Sequence, residues 1–129
     1  MTAIYDVTEL RVYQRALHLY PSIIRLANLL PDRYRKQRDQ LFNSSVAIAP
    51  LIAEGFAKKR NEVETKRYFE MAMAESDELI THLRQVLLLT NIFRKVKIET
   101  CNALIERYKI VSKELNNLIK NWNKFKKPK

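Results

Sequence analysis

The amino-acid sequence predicts an all-α protein built as an antiparallel, up-down-up-down four-helix bundle. Its 129 residues include only one glycine and four prolines, too few turn residues for the hairpins of a β protein. Apolar residues instead recur with the spacing of one helix face, in long segments that short breaks separate. Short connections place successive helices side by side in opposite directions. We assign the bundle to a single domain at residues 1–123, and residues 124–129 to a basic, flexible tail.

Capping residues and prolines bound the first two helices. Thr8 is a suitable N-cap for the first helix, which should end at Pro31. Pro21 lies inside this helix and should bend it, because proline lacks a backbone N–H and collides with the preceding turn. The second helix should begin just after Asp32.

The last two helices are bounded in a similar way. Asn61, with Glu64 three residues later, resembles a capping box. This pair predicts a turn at residues 59–61, followed by the third helix. The fourth helix should cover roughly residues 97–123.

The later half of the second helix, Val46 to Ala57, is apolar on every face. A helix with no polar side needs cover from outside its own chain, so we predict a homo-oligomer. Within this segment Pro50 should bend the helix, and Gly55 should either let another backbone approach or end the helix. We expect Glu54 to pair across a subunit boundary, since a partly buried carboxylate needs a partner. The predicted interface residues are Pro50, Ile52, Glu54 and Gly55.

Two segments carry a resemblance to a known family. "ELRVYQRA", followed by "SSVAIAPLIAEGFAKKRNEVETKRYFEMAMAESDEL", resembles the bacterial four-helix-bundle proteins encoded in intervening sequences of 23S ribosomal RNA genes. Tyr13 stands where that family's first motif has tryptophan, and Pro50 lies one position nearer to "IAEG" than in its second motif. The residues that match are Leu10, Val12, Gln14, Ala16, Ile52, Ala53, Glu54 and Gly55.

The resemblance implies a closed homopentamer with a role linked to nucleic acid. A related branch of the family serves as the accessory protein of diversity-generating retroelements, in which a basic pentamer binds a reverse transcriptase and nucleic acid. A reverse transcriptase is therefore a further partner that the resemblance suggests.

The charge of the chain favours a polyanionic partner independently of this resemblance. The formal net charge is +10, from 24 lysines and arginines against 14 acids, which suits RNA or DNA. In an up-down-up-down bundle one end collects half of the 24 cations, where a ring of subunits would repeat them around phosphates. The candidate nucleic-acid-binding residues are Arg11, Arg15, Lys58, Lys59, Arg60, Lys66, Arg67, Lys120, Lys124, Lys126 and Lys127.

Two features near these cations leave alternatives open. Trp122 and Phe125 could stack on unpaired bases, although we favour Trp122 as the last core residue of the fourth helix. The cations themselves could do no more than keep the protein soluble. A smaller basic cluster marks the opposite end of the bundle, with Arg33, Arg35, Lys36, Arg38, Arg94, Lys95 and Lys97.

No pattern in the chain indicates an active site, so we predict a non-enzymatic protein without metal or cofactor. Glu78 and His82 lie four residues apart on one helix face, but a metal site in a bundle needs several such pairs. His18 is the only other histidine. Cys101 falls on the apolar stripe of the fourth helix and should be an inert, buried thiol.

The sequence predicts a cytoplasmic protein that binds nucleic-acid backbone as an oligomer. It has a single cysteine, no signal peptide and no apolar window long enough to cross a bilayer, and we expect no membrane partner. The alternative is a scaffold for protein partners whose charge is incidental. A third and weaker hypothesis is contact with a membrane surface through the basic fourth helix.

Overall fold

The computed structural model describes residues 4–125, and within this range it contains helices and turns but no strand. Four long helices pack together as a helical bundle. Two 3₁₀ turns, Val7–Glu9 and Asp32–Tyr34, precede the first and second long helices. The helices are α1 Arg11–Asn28, α2 Arg35–Ala57, α3 Glu62–Leu89, α4 Ile98–Lys120 and the short α5 Trp122–Phe125.

Contacts between helices establish that the four long helices alternate in direction, as predicted. Arg15, near the start of α1, pairs with Glu114, near the end of α4. Phe56, near the end of α2, and Phe69, near the start of α3, both pack edge-on against Trp122. We call this the Trp122 end. The opposite end holds the α1–α2 and α3–α4 turns, and we call it the Ile92 end.

The start of α1 differs from the prediction that Thr8 caps it. The helix begins at Arg11, and a separate 3₁₀ turn precedes it. Asp6 caps that turn by accepting the backbone N–H of Thr8 at 3.0 Å, and the Glu9 carboxylate accepts the N–H of Asp6 at 2.6 Å. The prediction failed because this local capping box uses Thr8 inside the turn. In the same way, α2 begins at Arg35 and not just after Asp32, because a 3₁₀ turn occupies Asp32–Tyr34.

The α2–α3 turn lies where the sequence placed it. α2 ends at Ala57, and the Asn61 side chain accepts the backbone N–H of Glu64 at 3.2 Å. This bond satisfies one of the free amides at the start of α3. The predicted N-cap is therefore confirmed, but the capping box is incomplete, because the Asn61 N–H donates to the Lys58 carbonyl and the Glu64 carboxylate accepts from Arg67.

Gly55 brings α2 and α3 into close contact within one chain. The helix continues past it to Ala57, so the alternative that Gly55 ends the helix is wrong. A Cβ atom at this position would lie 2.8 Å from Cε1 and 2.9 Å from Cδ1 of Phe69, and 3.0 Å from Cβ of Tyr68. The absence of a side chain therefore lets α3 lie against α2.

One continuous core runs through the bundle. Trp122 is fully buried in it, which confirms the prediction that it is a core residue, and Phe125 packs against the core partly buried. Cys101 is buried on the inner face of α4, where burial raises the pKa of its thiol. Across residues 4–125, the long helices fall short of the apolar length that crossing a bilayer requires.

Candidate nucleic-acid interface

The structure brings the described candidate cations together at the Trp122 end. They come from the first two turns of α1, the second turn of α3, the turn after α2, the last residue of α4, and α5. Lys126 and Lys127 lie outside the described residues. The cations that the structure places here are Arg11, Arg15, Lys58, Lys59, Arg60, Lys66, Arg67, Lys120 and Lys124.

Carboxylates partly neutralise four of these cations. Three of the four pairs join residues three or four apart on one helix, and the fourth joins α1 to α4. A paired cation must give up or share its carboxylate before it can contact a phosphate. The pairs are Arg15–Glu114 at 2.6 Å, Lys58–Glu54 at 3.8 Å, Lys66–Glu62 at 3.8 Å and Arg67–Glu64 at 2.8 Å.

The other five cations have no carboxylate of residues 4–125 within ion-pairing distance. Lys59 is half-buried, and its ammonium lies 4.6 Å from the centre of the Phe56 ring, where a cation–π contact holds it. The remaining four side chains are exposed to solvent. The unpaired set is Arg11, Lys59, Arg60, Lys120 and Lys124.

The α2–α3 turn forms an open hollow of about 340 Å³ beside these cations. Lys58, Lys59 and Arg60 line it together with Asn61 and Glu64. A hydrogen bond from Arg67 lowers the pKa of Glu64, so this carboxylate keeps its negative charge at neutral pH. The hollow therefore mixes both signs of charge and suits a phosphate only on its lysine side.

Tyr68 is a feature of this end that the sequence reasoning missed. Its ring lies 5.6 Å from the Lys58 ammonium and 4.9 Å from the Arg67 guanidinium. Lys58 comes from the far side of the α2–α3 turn, so no pattern along α3 could have shown the contact. The tyrosine holds two cations near the surface at which a phosphate backbone would pass.

Most candidate cations of the Ile92 end have no carboxylate partner within residues 4–125. Of its seven candidate cations, only Arg38 lies within ion-pairing distance of a described carboxylate, Asp32 at 3.6 Å. Arg33 lies over the Tyr34 ring at 5.4 Å from its centre. The other five, Arg35, Lys36, Arg94, Lys95 and Lys97, are exposed.

The predicted oligomer interface needs correction at two of its four residues. Ile52 and Gly55 are buried inside their own chain, so they have no surface to give to a partner. The Glu54 carboxylate pairs with Lys58 of the same chain, and the expected pair across subunits is not needed to explain it. Pro50 and Glu54 do lie on the exposed side of α2. The sequence could not separate these two sides because apolar residues cover both.

An exposed apolar face lies on the outer side of α1 and α2. Leu17 on α1 and Phe42 and Val46 on α2 are exposed. The Tyr20 and Phe42 rings approach to 6.4 Å between their centres, which joins the two helices into one surface. We call this the α1/α2 face and add Pro50, one turn beyond Val46, to it.

The histidine and acidic residues considered for catalysis or metal binding have local partners. His82 is nearly buried, and its Nε2 lies 3.3 Å from Glu78 while its Nδ1 lies 3.3 Å from Gln85. Across residues 4–125, no three histidine, cysteine or acidic side chains converge as metal ligands would. Both partners of His82 lie on α3, so these contacts give the histidine a structural role within that helix.

Comparison with protein families identifies the group to which this bundle belongs. A family model described as 23S rRNA-intervening sequence protein matches residues 8–117. The chain is a member of this family. The match confirms the resemblance carried by the first two motifs and extends through most of α4. A search of curated proteins finds no match.

Proposed function

We propose that this member of the 23S rRNA-intervening sequence protein family is a non-enzymatic, cytoplasmic homo-oligomer that binds the phosphate backbone of RNA or DNA. The observation that carries the proposal is the unpaired, mostly exposed set of cations at the Trp122 end. They come from different helix ends, so one phosphate chain can contact several of them together. Such contacts position a nucleic acid without reading its bases.

The α1/α2 face supports the oligomeric part of the proposal. Leu17, Phe42 and Val46 leave apolar surface in water, and a second copy would bury it. We propose a pentamer, following the family resemblance. Light scattering should then give a mass five times the 15.3 kDa of one chain.

A ring would multiply the effect of each cation. Five copies would present the same set around one axis, and a bound strand would meet them in succession. Each phosphate contact releases condensed counterions, so affinity should fall steeply as salt rises. The proposal therefore predicts a salt slope that depends on which cations are present.

A matched pair of variants tests this surface. The test variant replaces Arg60, Lys120 and Lys124 by glutamine, and the control variant replaces the paired Lys58, Lys66 and Arg67 by glutamine. Both remove three positive charges, so a difference between them reports specific phosphate binding rather than net charge. The measurement is fluorescence anisotropy of a structured RNA and a DNA duplex at several salt concentrations.

The test variant should flatten the log–log salt slope by about 0.7 to 0.9 for each phosphate that a subunit no longer neutralises. The control should change the slope less, because its cations already have carboxylate partners. Equal weakening in both variants would show that overall charge, and not this set, drives binding. Absence of binding by the unaltered protein at low salt would refute the proposed function.

A scaffold for protein partners is the second candidate function. The exposed aromatic and aliphatic side chains of the α1/α2 face favour it, because a different protein could cover them. A reverse transcriptase is the partner that the resemblance to retroelement accessory proteins suggests. A complex with that enzyme that survives high salt and nuclease treatment would support the scaffold over direct binding of nucleic acid.

A further inference from the structure

The α3–α4 turn and the helix ends on either side of it expose large aliphatic side chains at the Ile92 end. Leu88 is 74% exposed, Ile92 64% and Ile98 48%. The turn is nevertheless anchored, because Val96 is buried and Phe93 packs against the core. The backbone N–H groups of Ile92 and Phe93 donate to the carbonyl of Leu89 at 2.9 and 2.7 Å. The fold therefore anchors the turn that carries Ile92, between the helix ends that carry Leu88 and Ile98.

Exposed cations outnumber the exposed acids Asp32 and Glu99 at the end that carries these aliphatic residues. Arg94, Lys95 and Lys97 lie in the same turn, all exposed, and no carboxylate of residues 4–125 lies within ion-pairing distance of them. The α1–α2 turn reaches the same end because the helices alternate in direction. This turn and the start of α2 add the exposed cations Arg33, Arg35 and Lys36.

We propose that the Ile92 end docks on the surface of an anionic lipid bilayer. The cations would meet lipid phosphates, and Leu88, Ile92 and Ile98 would enter the boundary between headgroups and acyl chains. A nucleic acid would engage the cations but offers little apolar surface to these three side chains.

This inference goes beyond the proposed function and uses the opposite end of the bundle. Helices of this length separate the two ends by about 35 Å. Nucleic acid at the Trp122 end and lipid at the Ile92 end can therefore bind together. The inference also reverses the expectation of no membrane partner, and it places the contact at the α3–α4 turn instead of along the fourth helix.

The test is co-sedimentation of the full chain with vesicles. One set of vesicles contains phosphatidylglycerol and phosphatidylcholine, and the other contains phosphatidylcholine alone. The aliphatic variant carries Leu88→Ser and Ile92→Ser. Its matched control is Val63→Ser, since Val63 is 77% exposed but lies at the Trp122 end. A third variant replaces Arg94, Lys95 and Lys97 by glutamine.

We expect binding to the anionic vesicles only. The aliphatic variant should bind about tenfold more weakly for each side chain that no longer inserts. Each cation removed should cost roughly fivefold in affinity, and Val63→Ser should change nothing. Thermal unfolding monitored by circular dichroism checks that each variant is folded.

Three results would overturn the inference. The first is no sedimentation of the unaltered protein with anionic vesicles. The second is loss of binding in the cation variant but not in the aliphatic variant, which would describe a general polyanion surface. The third is RNA binding, measured in parallel by anisotropy, that depends on Arg94, Lys95 and Lys97 while vesicles are not bound. None of these results alters the test of the Trp122 end.

Discussion

Replacing Gly55 by alanine tests the close packing of α2 on α3. The added Cβ would lie 2.8 and 2.9 Å from two ring atoms of Phe69, well inside ordinary carbon–carbon contact. Phe69 is fully buried and packs against Trp122 with ring centres 5.2 Å apart, so its ring has little room to move. Either the ring or the whole of α3 must shift.

Opposing contributions set the size of the effect. Alanine is better than glycine inside a helix by about 1 kcal/mol. Overpacking a buried contact costs about 1–3 kcal/mol, and disturbing the aromatic pair costs about 0.5–1.5 kcal/mol more. We therefore expect Gly55→Ala to lower the free energy of unfolding by about 0.5–3.5 kcal/mol, or the Tm by about 2–13 °C.

The assay is urea unfolding at fixed protein concentration, since an oligomer's stability depends on concentration. Trp122 is the only tryptophan, so its fluorescence reports on this contact while circular dichroism reports on all helices. Phe69→Leu in the Gly55→Ala background should recover part of the lost stability, which a double-mutant cycle would measure. A gain of about 1 kcal/mol from Gly55→Ala alone would refute the close packing, because it would show the glycine to be unconstrained.

Three further variants test burial, the oligomer and charge. Thr65→Val should raise the free energy of unfolding by about 1 kcal/mol in urea unfolding, because the buried Thr65 hydroxyl has no hydrogen-bond partner among residues 4–125. Phe42→Ser should lower the mass measured by light scattering on dilution while the helical signal is kept, since Phe42 lies on the α1/α2 face; an unchanged mass would exclude this face. Burial, and then the neighbouring Glu78, raise the pKa of Glu75 above that of an unfolded chain, so folding favours its protonated form and stability falls as pH rises through the carboxyl range. Glu75→Gln should therefore stabilise the protein at pH 7 and have little effect at acidic pH, as thermal unfolding across pH would show.

Local signals in the sequence predicted the fold. The sequence did not reveal contacts between residues that are far apart along the chain. The Asn61 cap was predictable because its partner is three residues away. Pairing of Arg15 with Glu114 joins opposite ends of the chain, and no pattern along either helix indicates it. The result is that the sequence could place the cations at one end but could not show which of them are neutralised.

Uniformly apolar segments posed a different difficulty. In α2, both Val46 and Ile52 are aliphatic, yet Val46 is exposed and Ile52 is fully buried. In the run of three leucines that ends α3, Leu88 points outward. Periodicity identifies a buried face only where polar residues mark the other side. The exposed apolar surfaces, which carry two of the proposals, are therefore the part that required the structure.

The position of a cation relative to the helix dipole determines whether it stabilises the fold. Lys120 ends α4, where a positive charge stabilises the helix, and Lys58 caps α2 in the same way. Arg35 and Lys36 lie in the first turn of α2, which contains no acid, so they oppose the dipole. Folding alone does not account for them, whereas the proposed binding role at the Ile92 end would.

This contrast predicts that replacing one of these cations raises the stability of the fold and weakens binding to vesicles. Lys36→Glu should raise the free energy of unfolding, by about 0.3–1 kcal/mol for each unit of charge changed, while it weakens sedimentation with anionic vesicles. Lys36→Gln should give about half of both effects. Lys120→Glu serves as the control, and it should lower stability without changing vesicle binding. If Lys36→Glu stabilised the protein and left vesicle binding intact, the cation would have no role at this end, and the lipid proposal would lose its electrostatic support.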